Sequence, residues 1–394
     1  MLISRTRRLD LAEDALAEAF ARAAVHWARD GVPDAPAAWL ATTSYRIVLG
    51  RLRAEQVAGR HAPVLARRDA APAVELDGVD ELPDERLQLV LLCCHPALDP
   101  AARSALALRL VLGTPTTEIA RLFLVETATM AARITRAKRK IVLAGIPLAA
   151  PVGDELAVRL DAVARTVYLA FTAGYAPGSG DQVVRADLAG EAVRLGVLLH
   201  QLVPDAAQVR ALLALMLLQH ARRDARAVDG ELVTLGEQDR SRWRRDEIDA
   251  AIRLLDGLPC AAGYAEELRL QAAIAREHSV ASTAADTDWR AIAGRYGALE
   301  ELTGSPVVRL NRAVAVAEVD GPHAGLALLD GLDESLGRNH RLHAVRADLA
   351  RRAGDVASAR AAYELALEHC TNASERTFLL ARLAGLDREQ GGRP

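Results

Sequence analysis

Aromatic residues, cysteines and long apolar runs are all scarce in this chain of 394 residues. Only 4% of the residues are aromatic although 51% are hydrophobic, so Ala, Leu and Val supply most of the apolar surface. The alternation of β-branched and aromatic residues that marks strands is hard to find. No apolar run reaches the roughly 18 residues that cross a bilayer, and the N-terminus lacks the apolar core of a signal peptide. We therefore expect an all-α, cytoplasmic protein without a membrane partner.

The four cysteines are too few to form a disulfide framework in a chain of this length. Cys93 and Cys94 are adjacent and His95 follows them, but no second ligand pair lies at the spacing of a zinc site. We expect these residues to be buried for structural reasons. The sequence predicts no metal and no cofactor.

Negative charge exceeds positive charge by only three overall, but the two signs are distributed unevenly along the chain. Residues 1–145 hold 20 Lys and Arg against 17 Asp and Glu, whereas the remainder holds 29 against 35. A basic segment attracts phosphates, so the N-terminal part is the candidate for nucleic-acid binding.

Two amphipathic helices are predicted at the start of the chain, over residues 10–28 and from Pro36 to Glu55. The apolar stripe of the first is predicted to comprise Leu11, Ala15, Ala19 and Val25. Residues 59–84 then lose periodicity and are rich in Pro, Ala and acidic side chains, the composition of a linker. We therefore predict one helical module over residues 1–58 and another over residues 85–145. In the second, Asp99 should cap a helix that begins with Pro100 and stops at Gly113.

A helix-turn-helix is predicted from Thr114 to Ile141. Thr114 is expected to cap a short helix with Pro115 in its first turn, and a second helix should run from Glu126 to Ile141. One face of the second helix is apolar: Met130, Ile134, Ala137 and Ile141. Another carries Thr129, Arg133, Arg136 and Lys140 at spacings of three and four, which suits a major groove. The alternative is a solvated basic helix without a DNA-binding role.

The middle part, residues 154–260, is predicted to be helical with clusters of polar side chains. The members singled out as a possible regulatory network are Arg185, Asp187, Arg222, Asp239, Arg240 and Trp243. Such charges must pair if they are buried, so the cluster is either a structural network or a pocket for a small ligand or partner. No nucleophile with a base, ligand set or phosphate-binding loop accompanies them, so we expect no enzymatic activity.

Residues 261–390 contain an internal repeat at an offset of 34. The offset aligns Gly325 with Ala359, Leu329 with Tyr363, and Leu332 with Ala366. This is the tetratricopeptide period, and stacked helix pairs of that kind present a concave face to peptides or proteins. A regulatory protein or peptide is the partner predicted for this face, although a purely structural extension remains an alternative.

Several motifs resemble bacterial extracytoplasmic-function sigma factors. TTEIARLFLVETATMAARITRAKRKI, within residues 85–141, is similar to their promoter-reading fourth region, and DLAEDALAEAF and PAAWLATTSYRIVLGRLR are similar to their second region. YLAFTAGYAPGSG, LLALMLLQHARR, DGELVTLGEQDRSRW and SPVVRLNRAVAVAEVDGP resemble the subgroup with a tetratricopeptide-like C-terminal extension. The resemblance covers nearly the whole chain.

The resemblance implies a sigma factor whose partners are promoter DNA and the RNA polymerase core. It implies minus-thirty-five contacts from Thr129, Arg133, Arg136, Arg139 and Lys140. It implies minus-ten contacts from Trp39, Tyr45, Arg46, Arg51 and Arg53. Polymerase contacts would come from Asp10, Glu13, Asp14 and Glu18.

The chain departs from the family pattern at two places in the second region. Only nine residues precede Asp10, where the family has a further helix, and Tyr45, Arg46 and Gly50 stand where the family has an Arg-Asn pair and an Asp. Two other functions therefore stay open. One is a helical interaction protein that has lost promoter melting, and the other is a ligand-sensing repressor that uses the helix-turn-helix alone.

Overall fold

The computed structural model describes residues 9–61, 85–123, 125–146, 151, 153–175, 186–228 and 231–391. The first seven helices are α1 (Leu9–Asp30), α2 (Pro36–His61), α3 (Glu85–Cys93), α4 (Pro100–Leu110), α5 (Thr116–Leu122), α6 (Thr127–Leu143) and α7 (Gly153–Tyr175). They are followed by α8 (Ala186–Leu202), α9 (Ala207–His220), α10 (Arg245–Leu255), α11 (Gly263–Val280), α12 (Trp289–Thr303) and α13 (Pro306–Asp320). The last five are α14 (Pro322–Leu328), α15 (Asp333–Leu336), α16 (His340–Arg352), α17 (Val356–His369) and α18 (Ala373–Gly391).

The predicted all-α class is confirmed. Across the described ranges, the strands are limited to β1 (Ala227–Val228) and β2 (Glu231–Leu232), which pair antiparallel. Short 3₁₀ turns lie at Arg223–Ala225 and Arg240–Arg242. Among the described helices, none combines the length and the apolar character needed to cross a membrane.

The chain divides into two compact units. One comprises residues 1–120 and 125–159, and the other comprises residues 121–124 and 160–394. Apart from residues 121–124, both predicted N-terminal modules belong to the first unit. The linker proposed between them lies for the most part outside the described residues. Helix α2 continues to His61, beyond its predicted end at Glu55.

In the first unit, α1 and α2 form one apolar core. Leu11, Ala15 and Ala19 pack with Ile47 and Val48, which confirms the predicted stripe on α1 over most of its length. Val25, which was also placed on that stripe, is 71% exposed. A helix turns once in 3.6 residues, so the inward position after Ala19 is four residues on, at the buried Ala23, rather than six.

Helices α3 and α4 supply the next core of this unit. Cys93 and Cys94 are fully buried, as expected. Asp99 caps α4, because its carboxylate accepts hydrogen bonds from the Ala101 and Ala102 amides. The predicted cap at Thr114 is wrong: its buried hydroxyl has no hydrogen-bond partner among the described residues. Helix α5 begins at Thr116, so Thr114 stands one residue too early to cap it.

In the second unit, α9 is buried on almost every side, with buried residues at most positions from Val209 to His220. The six positions matched by the 34-residue offset are all buried: Gly325, Leu329, Leu332, Ala359, Tyr363 and Ala366. Leu332 lies beyond the end of α14, whereas Ala366 lies inside α17. The two matched segments therefore share their buried positions but not their helix lengths.

Candidate nucleic-acid interface

The two helices of the predicted helix-turn-helix are present, and α6 presents different chemistry on its opposite faces. Its inward side chains are all buried: Met130, Ile134, Ala137 and Ile141. Ile119 and Ala120 of α5 are also buried. Between the helices, the Val125 amide donates to the Ala120 carbonyl over 3.0 Å. Glu126 occupies the N-cap of α6 in extended backbone but makes no side-chain cap.

The outward face of α6 carries the side chains predicted to contact the minus-thirty-five element. Thr129, Arg136, Arg139 and Lys140 are exposed, and Arg133 is half-buried. Arg136 donates from Nε to the Ala132 carbonyl over 3.3 Å. Among the described residues, none of these four cations forms an ion pair. Their charge is therefore available to an anionic polymer such as DNA.

A fifth cation of α6 is committed to a carboxylate instead. Lys138 Nζ lies 2.6 Å from Glu13 Oε1 of α1, and both side chains are about one-third exposed or less. Sequence reasoning placed Glu13 among the polymerase contacts and assigned no role to Lys138. The two residues are 125 positions apart, so periodicity within one helix carried no signal of this pair.

The other predicted polymerase contacts on α1 are also engaged within the chain. Arg51 of α2 bonds to Glu18 Oε2 over 2.9 Å and lies 3.4 Å from Asp14 Oδ2. Arg22 also bonds to Glu18. The guanidinium groups of Arg22 and Arg51 lower the pKa of Glu18, so this carboxylate stays ionised. The side chain of Asp10 lies outside the described residues.

The predicted minus-ten residues are split between surface and contact positions. Arg46 and Arg53 are exposed, and Tyr45 is half-buried. Trp39 packs edge-on against Trp27, with 5.5 Å between ring centroids. The fifth residue of this set, Arg51, is held by the α1 carboxylates described above. Gly50 is exposed within α2. Apart from the local helix backbone, no atom of the described residues lies within 4 Å of the position that a Cβ would occupy.

In the second unit, three members of the predicted regulatory network lie close together: Arg222, Arg240 and Trp243. The guanidinium carbons of Arg222 and Arg240 lie 6.0 Å and 4.5 Å from the centroid of the buried Trp243 ring. Asp239 is exposed and accepts from Ser241. Arg185 and the side chain of Asp187 lie outside the described residues.

Three further residues belong to the same place but were not singled out from the sequence. Arg222 Nη2 donates to the Tyr175 hydroxyl over 2.9 Å, and the Arg226 guanidinium carbon lies 3.9 Å from the Tyr175 ring centroid. His278 is close enough to Arg222 and Arg240 for both cations to affect its pKa. These residues come from distant parts of the sequence. The sequence alone shows only that Arg222 and Arg226 lie near each other.

One group of metal-type ligands occurs among the described residues, at His340, Cys370 and Glu375, with ligating atoms within 4.8 Å of one another. His340 Nε2 already hydrogen-bonds to Glu375 Oε2 over 2.7 Å, and Arg341 pairs with the other carboxylate oxygen over 3.1 Å. The arginine supplies the positive charge that a metal ion would otherwise provide to Glu375. This geometry is that of a local ion-pair network.

Comparison with known proteins matches one segment of the chain to each of two families. Residues 88–141 match the family "Sigma-70, region 4", and residues 159–258 match a family of unknown function, DUF6596. An uncharacterized protein of Rhizobium meliloti (strain 1021) is 40% identical, over 98% of this chain and 93% of that protein. No solved structure matches this chain.

Proposed function

We infer that this chain, which belongs to one family with the Rhizobium meliloti protein and contains a segment matched to sigma-70 region 4, is an RNA polymerase sigma factor that directs promoter recognition and transcription initiation. The observation that carries the proposal is α6. Its apolar face is buried, its opposite face is basic and without described ion pairs, and it lies inside the segment matched to region 4. By resemblance, the protein is of the extracytoplasmic-function type.

We propose that α6 enters the major groove of the minus-thirty-five element. Thr129, Arg133, Arg136, Arg139 and Lys140 would then face DNA. The cations supply attraction to phosphates, which is independent of sequence, and an arginine fork aimed at a guanine supplies selectivity. Arg133 is the best placed to contact a base edge, because its half-buried stem restricts the directions in which its guanidinium group can point.

We further propose that α1 and α2 serve the polymerase clamp and the minus-ten element. Arg46 and Arg53 are exposed on α2 and would bind phosphates of the minus-ten element. The carboxylates assigned to the polymerase, Glu13, Asp14 and Glu18, already pair with Lys138 or Arg51. Polymerase binding would therefore exchange intramolecular ion pairs for intermolecular ones.

The C-terminal helices are proposed to regulate the DNA-binding half as a tetratricopeptide-like extension. The support is the offset of 34, whose matched positions are buried in both copies. Small residues at Gly325 and Ala359 let neighbouring helices approach closely in each copy. A protein or peptide is the class of partner that such an array takes.

The experiment that tests the proposal adds the full chain to the RNA polymerase core and transcribes sheared genomic DNA of the source organism, with the transcripts sequenced. We expect stable association with the core and defined start sites that disappear in the double variant Arg133→Ala/Arg136→Ala. Arg290→Ala, an exposed arginine of the second unit, is the matched control and should keep the start sites.

Two outcomes would replace the proposal with one of its rivals. Association with the core without any transcript would favour an interaction protein that has lost promoter melting. Tight, sequence-selective binding to DNA in the absence of polymerase would favour a ligand-sensing repressor.

A further inference from the structure

Three arginines of the second unit converge on aromatic side chains rather than on carboxylates. We call this the arginine–aromatic cluster, and its members are Tyr175, Arg222, Arg226, Arg240, Trp243 and His278. Arg222 links its two halves, because it donates to the Tyr175 hydroxyl over 2.9 Å and lies 6.0 Å from the Trp243 ring centroid. Arg226 covers the Tyr175 ring at 3.9 Å, and Arg240 covers the Trp243 ring at 4.5 Å.

Asp286, which accepts from Thr283, acts on Arg240 from a distance. Two other neighbouring acidic side chains are paired with cations outside the cluster. Asp224 pairs with Arg244 over 2.7 Å. Glu247 pairs with Arg223 over 2.8 Å and with His220 over 3.0 Å. Within the part of the chain that the structure describes, no carboxylate forms an ion pair with Arg222, Arg226 or Arg240. Half-buried positive charges that share one place without a counter-charge are unfavourable.

Unused donors mark the same place. The Nε groups of Arg222 and Arg226 and the indole N–H of Trp243 are buried, and none has a hydrogen-bond partner in the described chain. A buried donor without an acceptor costs more than an ordinary hydrogen bond contributes. Each of these three groups can donate a hydrogen bond but cannot accept one, so together they require an acceptor. Because two of the donors belong to cationic guanidinium groups, a negatively charged acceptor fits best.

The local electrostatic field agrees with an excess of positive charge. Burial, followed by Arg222 and Arg240, lowers the pKa of His278 to about 4. Burial alone would raise the pKa of the Tyr175 phenol, but Arg222 and Arg226 outweigh it and hold that pKa below its ordinary value. The two groups respond as neighbours of an anion-binding site do, with the cationic imidazole disfavoured and the phenolate favoured.

Only one of the three arginine side chains has a role in holding the fold together. Arg240 Nη1 donates to the carbonyls of His278 and Ala281 over 2.6 Å and 2.8 Å, so it holds the end of α11. Arg222 and Arg226 have no such role. The described acceptor of both is Tyr175, and a hydroxyl does not compensate two guanidinium groups.

We propose that the arginine–aromatic cluster binds a small organic anion through its carboxylate or phosphate group. Arg222 and Arg226 would hold the anionic group, since a guanidinium fork matches either oxyanion. Trp289, a half-buried ring that meets His278 edge-on at 5.2 Å, would contact the rest of the ligand. Tyr175 stacks with the fully buried Phe171 at 5.3 Å, which fixes the hydroxyl that Arg222 binds. The inference goes beyond the proposed function, because binding at this site requires neither DNA nor polymerase.

The test titrates the full chain with inorganic phosphate, phenyl phosphate and benzoate by calorimetry, with sodium chloride adjusted to constant ionic strength. We expect phenyl phosphate or benzoate to bind, and the affinity to fall at least tenfold in Arg222→Gln and in Arg226→Gln. Arg290→Gln, which removes an exposed arginine of the same unit, should bind as the unchanged chain does. Binding of the two phosphates without benzoate would assign a phosphate ligand, and binding of benzoate without either phosphate would assign a carboxylate. Binding of both benzoate and phenyl phosphate would show that the site accepts either oxyanion.

A second measurement keeps the test valid if a variant fails to fold. The absorbance titration of the Tyr175 phenol, taken as the difference between the unchanged chain and Tyr175→Phe, should shift to higher pH when the bound probe is present, because the anion offsets the arginines. The proposal is overturned if none of the three probes binds, if Arg290→Gln weakens binding as much as Arg222→Gln and Arg226→Gln do, or if a bound probe leaves this titration unchanged.

Discussion

Lys138 on the basic helix α6 forms an ion pair with Glu13 on the acidic helix α1, with 2.6 Å between Nζ and Oε1. This pair joins a helix proposed to contact DNA to a helix proposed to contact polymerase, within the first unit. It removes one positive charge from α6 and one negative charge from α1. Release of Glu13 toward polymerase would therefore give α6 an additional cation for phosphate binding.

Glu13→Gln tests this relationship. The amide removes the partner charge of Lys138, so we expect tighter DNA binding. The slope of log K against log salt concentration should also become more negative by about one, because one more cation binds phosphate. The measurement is fluorescence anisotropy with promoter duplex at several salt concentrations. Asp34→Asn, an exposed carboxylate of the same unit, changes the net charge equally and should leave the slope unaltered. Equal slopes in both variants would contradict the expected release of Lys138.

Arg133→Ala and Arg136→Ala should each weaken promoter binding by the polymerase complex. If each contacts a base, we expect a loss of about 1 to 3 kcal/mol, and the loss should be greater for the cognate promoter than for a scrambled duplex. Filter binding or anisotropy with both duplexes measures the difference. Arg290→Ala serves again as the exposed control. Unchanged binding in both variants would place the DNA-contacting face elsewhere.

Local pattern was enough to predict α6 and the start of α4. A period of 3.6 residues identified Met130, Ile134, Ala137 and Ile141 as the buried face, because each helical position looks toward one direction only. Asp99 was predicted to be a cap because its carboxylate can accept hydrogen bonds from the amides two and three residues later. Features of this kind depend on neighbours in sequence.

The arrangement of charges could not be predicted in the same way. Glu13 and Lys138 are 125 residues apart, and Arg51 and Glu18 are 33 apart. Glu13, Glu18 and Arg51 were predicted to contact external partners, and Lys138 was given no role, because only the helix of each residue was considered. Tyr175 and His278 were missed for the same reason, since their relation to Arg222 appears only when α7 and α11 are placed beside the turn after α9.

Gly50→Ala should stabilise the first unit by about 1 kcal/mol, because alanine restricts the unfolded chain and favours the helix. Gly50 lies within α2, and a Cβ there meets no atom within 4 Å. The change is measured as an increase in the free energy of unfolding in urea. A decrease would contradict the open surroundings of Gly50.

Gly325→Ala should have the opposite effect in the second unit. A Cβ at this position would lie 2.7 Å from the Ala313 carbonyl oxygen and 2.9 Å from Leu349 Cδ1. The backbone at Ala313 cannot move aside without separating the helices. We therefore expect the free energy of unfolding to fall by about 1 to 3 kcal/mol. Gly294→Ala, where nothing lies within 4 Å of the added atom, is the control within that unit. Comparable melting temperatures for the two variants would refute close packing at Gly325.

His278→Gln should reduce the sensitivity of the protein to mild acid. The folded chain holds the pKa of His278 at about 4, through burial and the nearby Arg222 and Arg240, against an ordinary value of 6.5. Between these values the unfolded chain takes up a proton that the folded chain does not, so stability falls as the pH falls from 6.5 to 4 and this contribution then levels off. Each pKa unit corresponds to about 1.4 kcal/mol, which limits the effect to about 3 kcal/mol.

The measurement is the free energy of unfolding in urea at several pH values from 7 to 4, compared between the unchanged chain and His278→Gln. The two curves should converge as the pH falls, because glutamine has no proton to gain. His323→Gln, an exposed histidine on the same unit, should run parallel to the unchanged chain throughout. Parallel curves for His278→Gln as well would show that neither burial nor the arginines lower the pKa of this imidazole, and would remove one support of the anion site.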